Sequence, residues 1–319
     1  MPEAVPGPIL DGMRERPIGI FDSGLGGLTV AGEIMHAMPD ESIVYLGDTA
    51  RCPYGPRPPH DVREFVLEIG RWLESHEVKL IVIACNTATA AGLALAQRVF
   101  DVPVVGVVEP GARAAVKATV NRRVGVIGTV GTIESGAYSA AVRAIDAGVT
   151  VLSAATPRFV DVVENGLRLG EDGLEDWLSD IGEVYIRSSF YEMARDYLDP
   201  LRRNDIDTLV LGCTHFPLLA APIQQVMGGR VRLISSAEET AREVADTLEA
   251  RGHRADASME RTELFCTTGD TQEFSDLGAR ILGRPMQRVA SVELAHLESL
   301  LDDGLASALD AFEKEAACD

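Results

Sequence analysis

The chain has 319 residues, 46% of them hydrophobic and only 5% aromatic, and 49 acidic against 29 basic residues leave a net charge of −20. That length exceeds what one hydrophobic core usually serves, so two domains are expected. The acidity argues against general affinity for nucleic acid or an anionic membrane, though not against an anionic substrate held by a local cluster of backbone amides.

Residues 1–16 carry Pro2, Pro6 and Pro8 with scattered acids and no apolar core of signal length, and read as a loose N-terminal tail. No stretch has the composition of a membrane span. Five cysteines, an odd number without framework spacing, point to a reducing compartment. Neither a CxxC pair nor a histidine pair at ligand spacing occurs, so no metal site is expected.

Ile18 to Phe21 is the first expected strand, and Asp22-Ser23-Gly24-Leu25-Gly26-Gly27 turns into a helix from about Leu28 to Met38. The glycines suit a phosphate cradle, but they match neither GxGxxG nor a P-loop, and Asp22 or Ser23 serves equally well as a helix cap. After a second strand, Ser42 to Leu46, comes a loop rich in Pro and Gly with Arg51, Cys52, Tyr54, Gly55 and Arg57. Irregular loops at strand ends concentrate binding residues. Tyr54 is equally readable as a packing residue, the two arginines as solvated, and Cys52 beside Pro53 as structural. Val62, Phe65, Val66, Ile69, Trp72 and Leu73 then fall at helical spacing and form a core stripe.

Leu80 to Ile83 is a short β-branched run that reads as a buried parallel strand, and the Ala-rich segment after Thr89 reads as a helix. Between them stands Cys85-Asn86-Thr87, at the junction where open α/β sheets bind ligands. A helix amino end lowers a thiol pKa, although a cysteine there can also be a small buried apolar residue. Val102 to Val108 is another expected strand, and a helix from about Ala112 to Thr119 crosses into the second domain.

The second half begins with Val124 to Ile127, the turn Gly128-Thr-Val-Gly-Thr132, a helix from about Ser135 and a strand near Val149 to Leu152. Glu164, beside Asn165-Gly166, reads as a surface acid at a chain turn. Residues 170–189 are acidic and suggest an added helical hairpin or lid, followed by an amphipathic helix to Arg203. The next strand ends in Gly212-Cys213-Thr214-His215. His215 is either the imidazole partner of a Cys213 thiol or a buried or capping histidine. Val231 to Ile234, a capped helix from Ser235 to about Ala250, a strand at Leu264 containing Cys266, a helix from Thr271 and a helical tail from about Ser291, with Cys318 near the terminus, complete the chain.

The two halves echo one another. Each has a strand-and-glycine unit upstream and a strand ending in a cysteine downstream, which makes the chain two copies of one α/β unit. The fold expected is α/β, with two pseudo-symmetric doubly wound parallel-sheet domains and the active site between them. Disulfide cycling is disfavoured because the two cysteines lack the CxxC arrangement, and covalent catalysis needs only one nucleophile. Proton exchange at a carbon uses both: one thiolate removes a proton while the opposite thiol delivers another, which inverts a stereocentre. Asn86, Thr87 and Thr214 are placed to hold the carboxylate of an amino acid among helix N-terminal amides and hydroxyls.

GIFDSGLGGLTV, YLGDTARCPYG, IACNTATA, GVVEPG, VGVIGT and LVLGCTHFPLL together resemble the cofactor-independent glutamate racemases of the aspartate/glutamate racemase superfamily, over about Pro17 to Leu282. The resemblance implies that Cys85 and Cys213 transfer the protons, with Asp22 assisting Cys85, and Glu164 and His215 assisting Cys213. It implies substrate contacts at Asp22, Ser23, Tyr54, Gly55, Asn86, Thr87, Thr214 and His215. The domains implied are discontinuous: residues 17–108 plus 236–319 form the first and 109–235 the second. It further implies D-glutamate made in the cytoplasm for peptidoglycan by a homodimer, with glutamate as the small-molecule partner, no cofactor, no metal, and neither nucleic acid nor membrane as partner. The alternatives are a racemase or isomerase of aspartate, a hydantoin or maleate, and a catalytically silent module that binds an acidic metabolite. A cysteine at the equivalent strand end of each half speaks against the silent module.

Overall fold

The computed structural model describes residues 9–169, 188–258 and 260–316. Most of the acidic segment read as a hairpin or lid (170–187) and Cys318 lie outside them.

Ten described strands form two parallel sheets. The first sheet has the order β10-β9-β2-β1-β3-β4, with β1 Ile18–Asp22, β2 Ile43–Gly47, β3 Leu80–Ile83, β4 Val104–Gly106, β9 Glu263–Thr267 and β10 Val289–Ser291. The second has the order β6-β5-β7-β8, with β5 Arg123–Gly128, β6 Thr150–Ala155, β7 Thr208–Gly212 and β8 Arg232–Ser235. The order 2-1-3-4 in the first sheet thus recurs as 6-5-7-8 in the second, strand for strand. The echo heard in the sequence is a repeated topology.

Helices cover both faces of each sheet, so the central strands are buried throughout and their side chains alternate between two cores. In the first sheet Ile18, Ile20, Leu80 and Val82 pack to one side, with helix α2 (Leu28–Ala37) and the helix Ser236–Ala250. Phe21, Ile81 and Ile83 pack to the other, with helices α3 (Pro59–Ser75) and α4 (Asn86–Val99). In the second sheet Val124, Val126 and Val210 face one way, and Ile127, Leu209 and Leu211 the other. This is the doubly wound arrangement expected from the unbroken apolar runs.

Three local expectations are corrected. The strand expected to reach Val108 ends at Gly106, and helix α5 (Val108–Ala118) begins four residues early with Pro110 inside its first turn. The first-turn amides have no intrahelical partner, so a missing N–H there costs nothing. Glu164 is not at a turn, because Asn165-Gly166 lie within helix α8 (Arg158–Leu169). Part of the segment read as a loose tail is helical, in α1 (Ile9–Glu15).

The tie that anchors α1 lies at the amino ends of the strands. Lys79, immediately before β3, is 0% exposed. Its ammonium meets Glu41 Oε2 at 2.5 Å, the Arg14 carbonyl at 2.9 Å and the His253 carbonyl at 3.0 Å. Two of its hydrogens thus go to backbone carbonyls while its charge is paired with the buried carboxylate. Glu41 Oε1 in turn accepts from the Ala255 amide at 2.9 Å. Replacing Lys79 by Met strands a buried carboxylate, which typically costs roughly 3–5 kcal/mol. Urea unfolding of Lys79→Met is therefore expected to show a much lower midpoint, and adding Glu41→Gln to recover part of the loss. An unchanged midpoint would contradict the role given to this pair.

Candidate active site

Each sheet has a point where connections leave its first strand in opposite directions, and the carboxyl ends of the strands open there into a crevice. In the first sheet this point lies between β1, ending at Asp22, and β3, followed by Ala84 and Cys85. In the second it lies between β5, followed by Thr129, and β7, followed by Cys213. The two crevices face each other. Thr87 Oγ1 of the first half lies 2.9 Å from Thr129 Oγ1 and 3.3 Å from Thr132 Oγ1 of the second. The Gly131 amide donates to the Gly55 carbonyl at 3.0 Å, and the Thr29 hydroxyl to the Thr214 carbonyl at 3.2 Å.

Gly26 and Gly27, considered in the sequence for phosphate binding, serve this close approach instead. A Cβ on Gly26 would stand 2.3 Å from Thr214 Oγ1 and 2.8 Å from His215 Nδ1, and one on Gly27 would stand 2.4 Å from Asp22 Cβ. Only glycine lets the start of α2 pass this close.

Between the halves lies a narrow cavity with about 350 Å³ of space between its atoms. Cys85 and Cys213 both line it, together with Ser23, Tyr54, Gly55, Asn86, Thr87, Thr214 and His215. Nine of the eleven residues singled out by sequence thus converge on one space. The other two stand beside it. Asp22, fully buried, lies at the end of β1, and Glu164 reaches His215 from α8.

The thiols have unlike surroundings. Cys85 is the N-cap residue of α4, its sulfur accepting from the Ala88 amide at 3.5 Å and lying 3.7 Å from the Ser23 hydroxyl. The expectation that this helix end holds its pKa low is not met. Burial, reinforced by the Asp22 charge, pushes the thiol up to about 12 against the smaller pull of the Ala88 amide and Ser23. Asp22 is itself raised by burial, in spite of His215 and the amides of Gly27, Gly24 and Ser23. One of its oxygens accepts from Gly24 N at 3.0 Å, while Oδ1 has no hydrogen-bond partner among the described residues.

The second thiol does not cap an α-helix: a 3₁₀ turn, Phe216–Leu219, follows it. Cys213 Sγ lies 3.6 Å from His215 Nδ1, and His215 Nε2 lies 3.5 Å from Glu164 Oε1, close enough for charge attraction without hydrogen-bond alignment. Burial works against the imidazolium, yet Cys213 and Glu164 outweigh it and hold His215 at about 10. The ring thus carries its proton at neutral pH.

The polar wall contains groups that local reading missed. The Tyr138 hydroxyl donates to Asn86 Oδ1 at 2.7 Å, which turns the amide so that its buried Nδ2 has no partner among the described residues. Nothing local in the sequence marks Tyr138 for this, and Thr129 and Thr132 were legible only as a turn. The Tyr54 hydroxyl donates to Asp48, so its ring lines the cavity while its polar end is already engaged. Arg51 is neither solvated nor free to bind: it is buried between Asp48, at 2.6 Å, and Glu68, with its guanidinium 4.0 Å from the Phe65 ring centre. Cys266 is a buried residue of β9. Among the described residues no three His, Cys, Asp or Glu side chains are grouped as metal ligands would be, and no helix is long and apolar enough to cross a membrane.

The chain resembles known proteins over most of its length. It is 45% identical over 279 residues to a glutamate racemase of Bacillus cereus, covering 88% of this chain and 97% of the relative. A crystal structure of a glutamate racemase isoform from Bacillus anthracis superposes with a TM-score of 0.79 at 44% identity, over 88% of this chain and 98% of that one. The glutamate racemase of Francisella tularensis, solved in complex with D-glutamate, gives 0.77 at 29% identity, over 90% and 99%. Since residues 31–244 also match the family model for Asp/Glu/hydantoin racemases, the chain belongs to that family.

Proposed function

We propose that the chain is a glutamate racemase that interconverts L- and D-glutamate by two-base proton transfer at Cα, without a cofactor. The carrying observation is one small cavity lined by two cysteines from equivalent ends of two equivalent sheets. In one direction a sulfur takes the Cα proton as the opposite thiol gives its own to the other face. The charge left on the α-carbon and carboxylate is transient, and no hydrogen is gained or lost overall. In the reverse direction the two sulfurs exchange roles.

The flanking groups suit this division of labour. The free donor of Asn86 fits a substrate carboxylate, with the hydroxyls of Thr87 and Thr214 nearby. Asp22 assists Cys85, since its unpartnered oxygen and raised pKa favour a group that takes and returns a proton. An α-ammonium entering beside Cys85 and Asp22 would counter the burial that holds the thiol protonated. His215 does the corresponding work for Cys213, with Glu164 holding the imidazolium. Ser23, Tyr54 and Gly55 shape the wall.

Glutamate as substrate is supported by the relatives, one of them solved with D-glutamate. Supply of D-glutamate to peptidoglycan, a cytoplasmic location and a homodimeric assembly belong to the same proposal and rest on the family resemblance. So does the division into 17–108 plus 236–319 and 109–235, which strand membership of the two sheets supports.

In D₂O, L- or D-glutamate is expected to gain deuterium at Cα as it racemises, without added cofactor, while aspartate, hydantoins and maleate turn over poorly. Cys85→Ala and Cys213→Ala should each lose about 10²–10⁴-fold in rate. Either variant racemising at the parent rate would refute the two-base mechanism.

Asp22→Asn separates chemistry from stability. A carboxyl whose folded pKa is raised favours folding only when protonated, so ionised Asp22 costs stability at every pH above its ordinary value of 3.8. At pH 7 the variant should melt at a higher temperature than the parent while racemisation falls by about 10²–10⁴-fold. An active variant with an unchanged melting temperature would contradict both roles.

A further inference from the structure

A third thiol reaches the cleft. The loop after β2, read in the sequence as holding a structural cysteine, brings Cys52 Sγ to 3.7 Å from Glu164 Oε1. The same oxygen faces His215 Nε2 at 3.5 Å. The thiol comes from the first half and the carboxylate from the second, so their contact spans the cleft. Cys52 also belongs to two walls: that of the inner cavity and that of an adjoining pocket lined by Glu164, Asp270 and Glu273.

We propose that Cys52 is a positioning residue for racemisation, its S–H donating to Glu164 Oε1 and holding that carboxylate against the His215 imidazolium while the two halves are together. The proposal rests on the reading of Cys213 and His215 as a proton-transfer pair. A thiol is a weak donor, but this one is confined by burial and has a charged acceptor. Burial, and after it the Glu164 charge, pushes its pKa far upward, so it keeps its hydrogen throughout the working pH range.

The chain of contacts then runs from Cys213 through His215 and Glu164 to Cys52. Among the described residues, the charged groups facing it include Asp22 on the imidazole side and Asp270 and Glu273 across the outer pocket. Removing the thiol takes one donor from the Glu164 oxygen that faces His215, so the carboxylate is less firmly aimed and the imidazolium loses part of the attraction that offsets its burial.

The test compares pH profiles of kcat/KM for glutamate in the parent, Cys52→Ala and Cys52→Ser. In Cys52→Ala the basic limb should move down by about one pH unit and the plateau fall about tenfold, as for loss of one charge-assisted hydrogen bond. Cys52→Ser keeps a donor and should retain the parent limb. A basic limb in Cys52→Ala coincident with the parent overturns the proposal, as does a Cys52→Ser limb displaced as far as that of Cys52→Ala. Cys213→Ala and His215→Asn, measured alongside, separate the two levels. If they keep parental rates, the proton-transfer reading fails and this proposal with it. If they are inactive while the Cys52→Ala limb stays in place, only the positioning role fails.

Discussion

The structure depends on a constraint of parallel-sheet topology. Both sheets place their first strand between the second and third, and that order opens a crevice at the carboxyl ends of the strands. Because Cys85 follows the third strand of one sheet and Cys213 the third strand of the other, each thiol is delivered to a crevice by connectivity alone. What remained was to bring the two openings together. The hydroxyl cluster of Thr87, Thr129 and Thr132, the Gly131–Gly55 amide contact and the Gly26 approach to Thr214 do so.

The topology is symmetric and the chemistry is not. Cys85 sits among a carboxylate, a hydroxyl and a helix amide, whereas Cys213 sits beside an imidazolium backed by a carboxylate. Such a difference is compatible with racemisation. The enantiomers have equal free energy, so kcat/KM must be equal in the two directions, while kcat and KM are free to differ separately. The unequal environments leave one thiol protonated and the other beside a proton carrier, which suits a cycle in which one sulfur starts as acid and the other as base.

The cleft carries a cost in stability. Asp22 Oδ1 and Asn86 Nδ2 are buried without partners among the described residues, and unpaired buried polar groups weaken a fold. At the opposite, amino-terminal end of the same sheet, Lys79 pairs with Glu41 and donates to two backbone carbonyls, tying α1 and the 252–255 segment to the strands. The open groups of the cleft stand where a substrate would meet them, as is common at functional sites.

Local patterns in the sequence determined much of this. Apolar runs bounded by glycine marked the buried strands, period-3.6 stripes such as Val62 to Leu73 marked the covering helices, and the repeated strand–cysteine unit announced both the doubled fold and the residues that line its cavity. These features are set by neighbours in the chain, so they are legible there. Tertiary structure alone decided the rest. Glu164, beside an Asn-Gly pair, looked like a turn acid, but helix α8 carries it to His215. Arg51 looked available for binding, but Asp48 and Glu68 enclose it. Tyr138 and Cys52 gained their partners from the other half, and Cys85 had its pKa raised where a helix end suggested the opposite. In each case the deciding quantity was burial or a contact across the cleft, and both arise only when the two sheets pack, at distances that spacing along the chain does not encode.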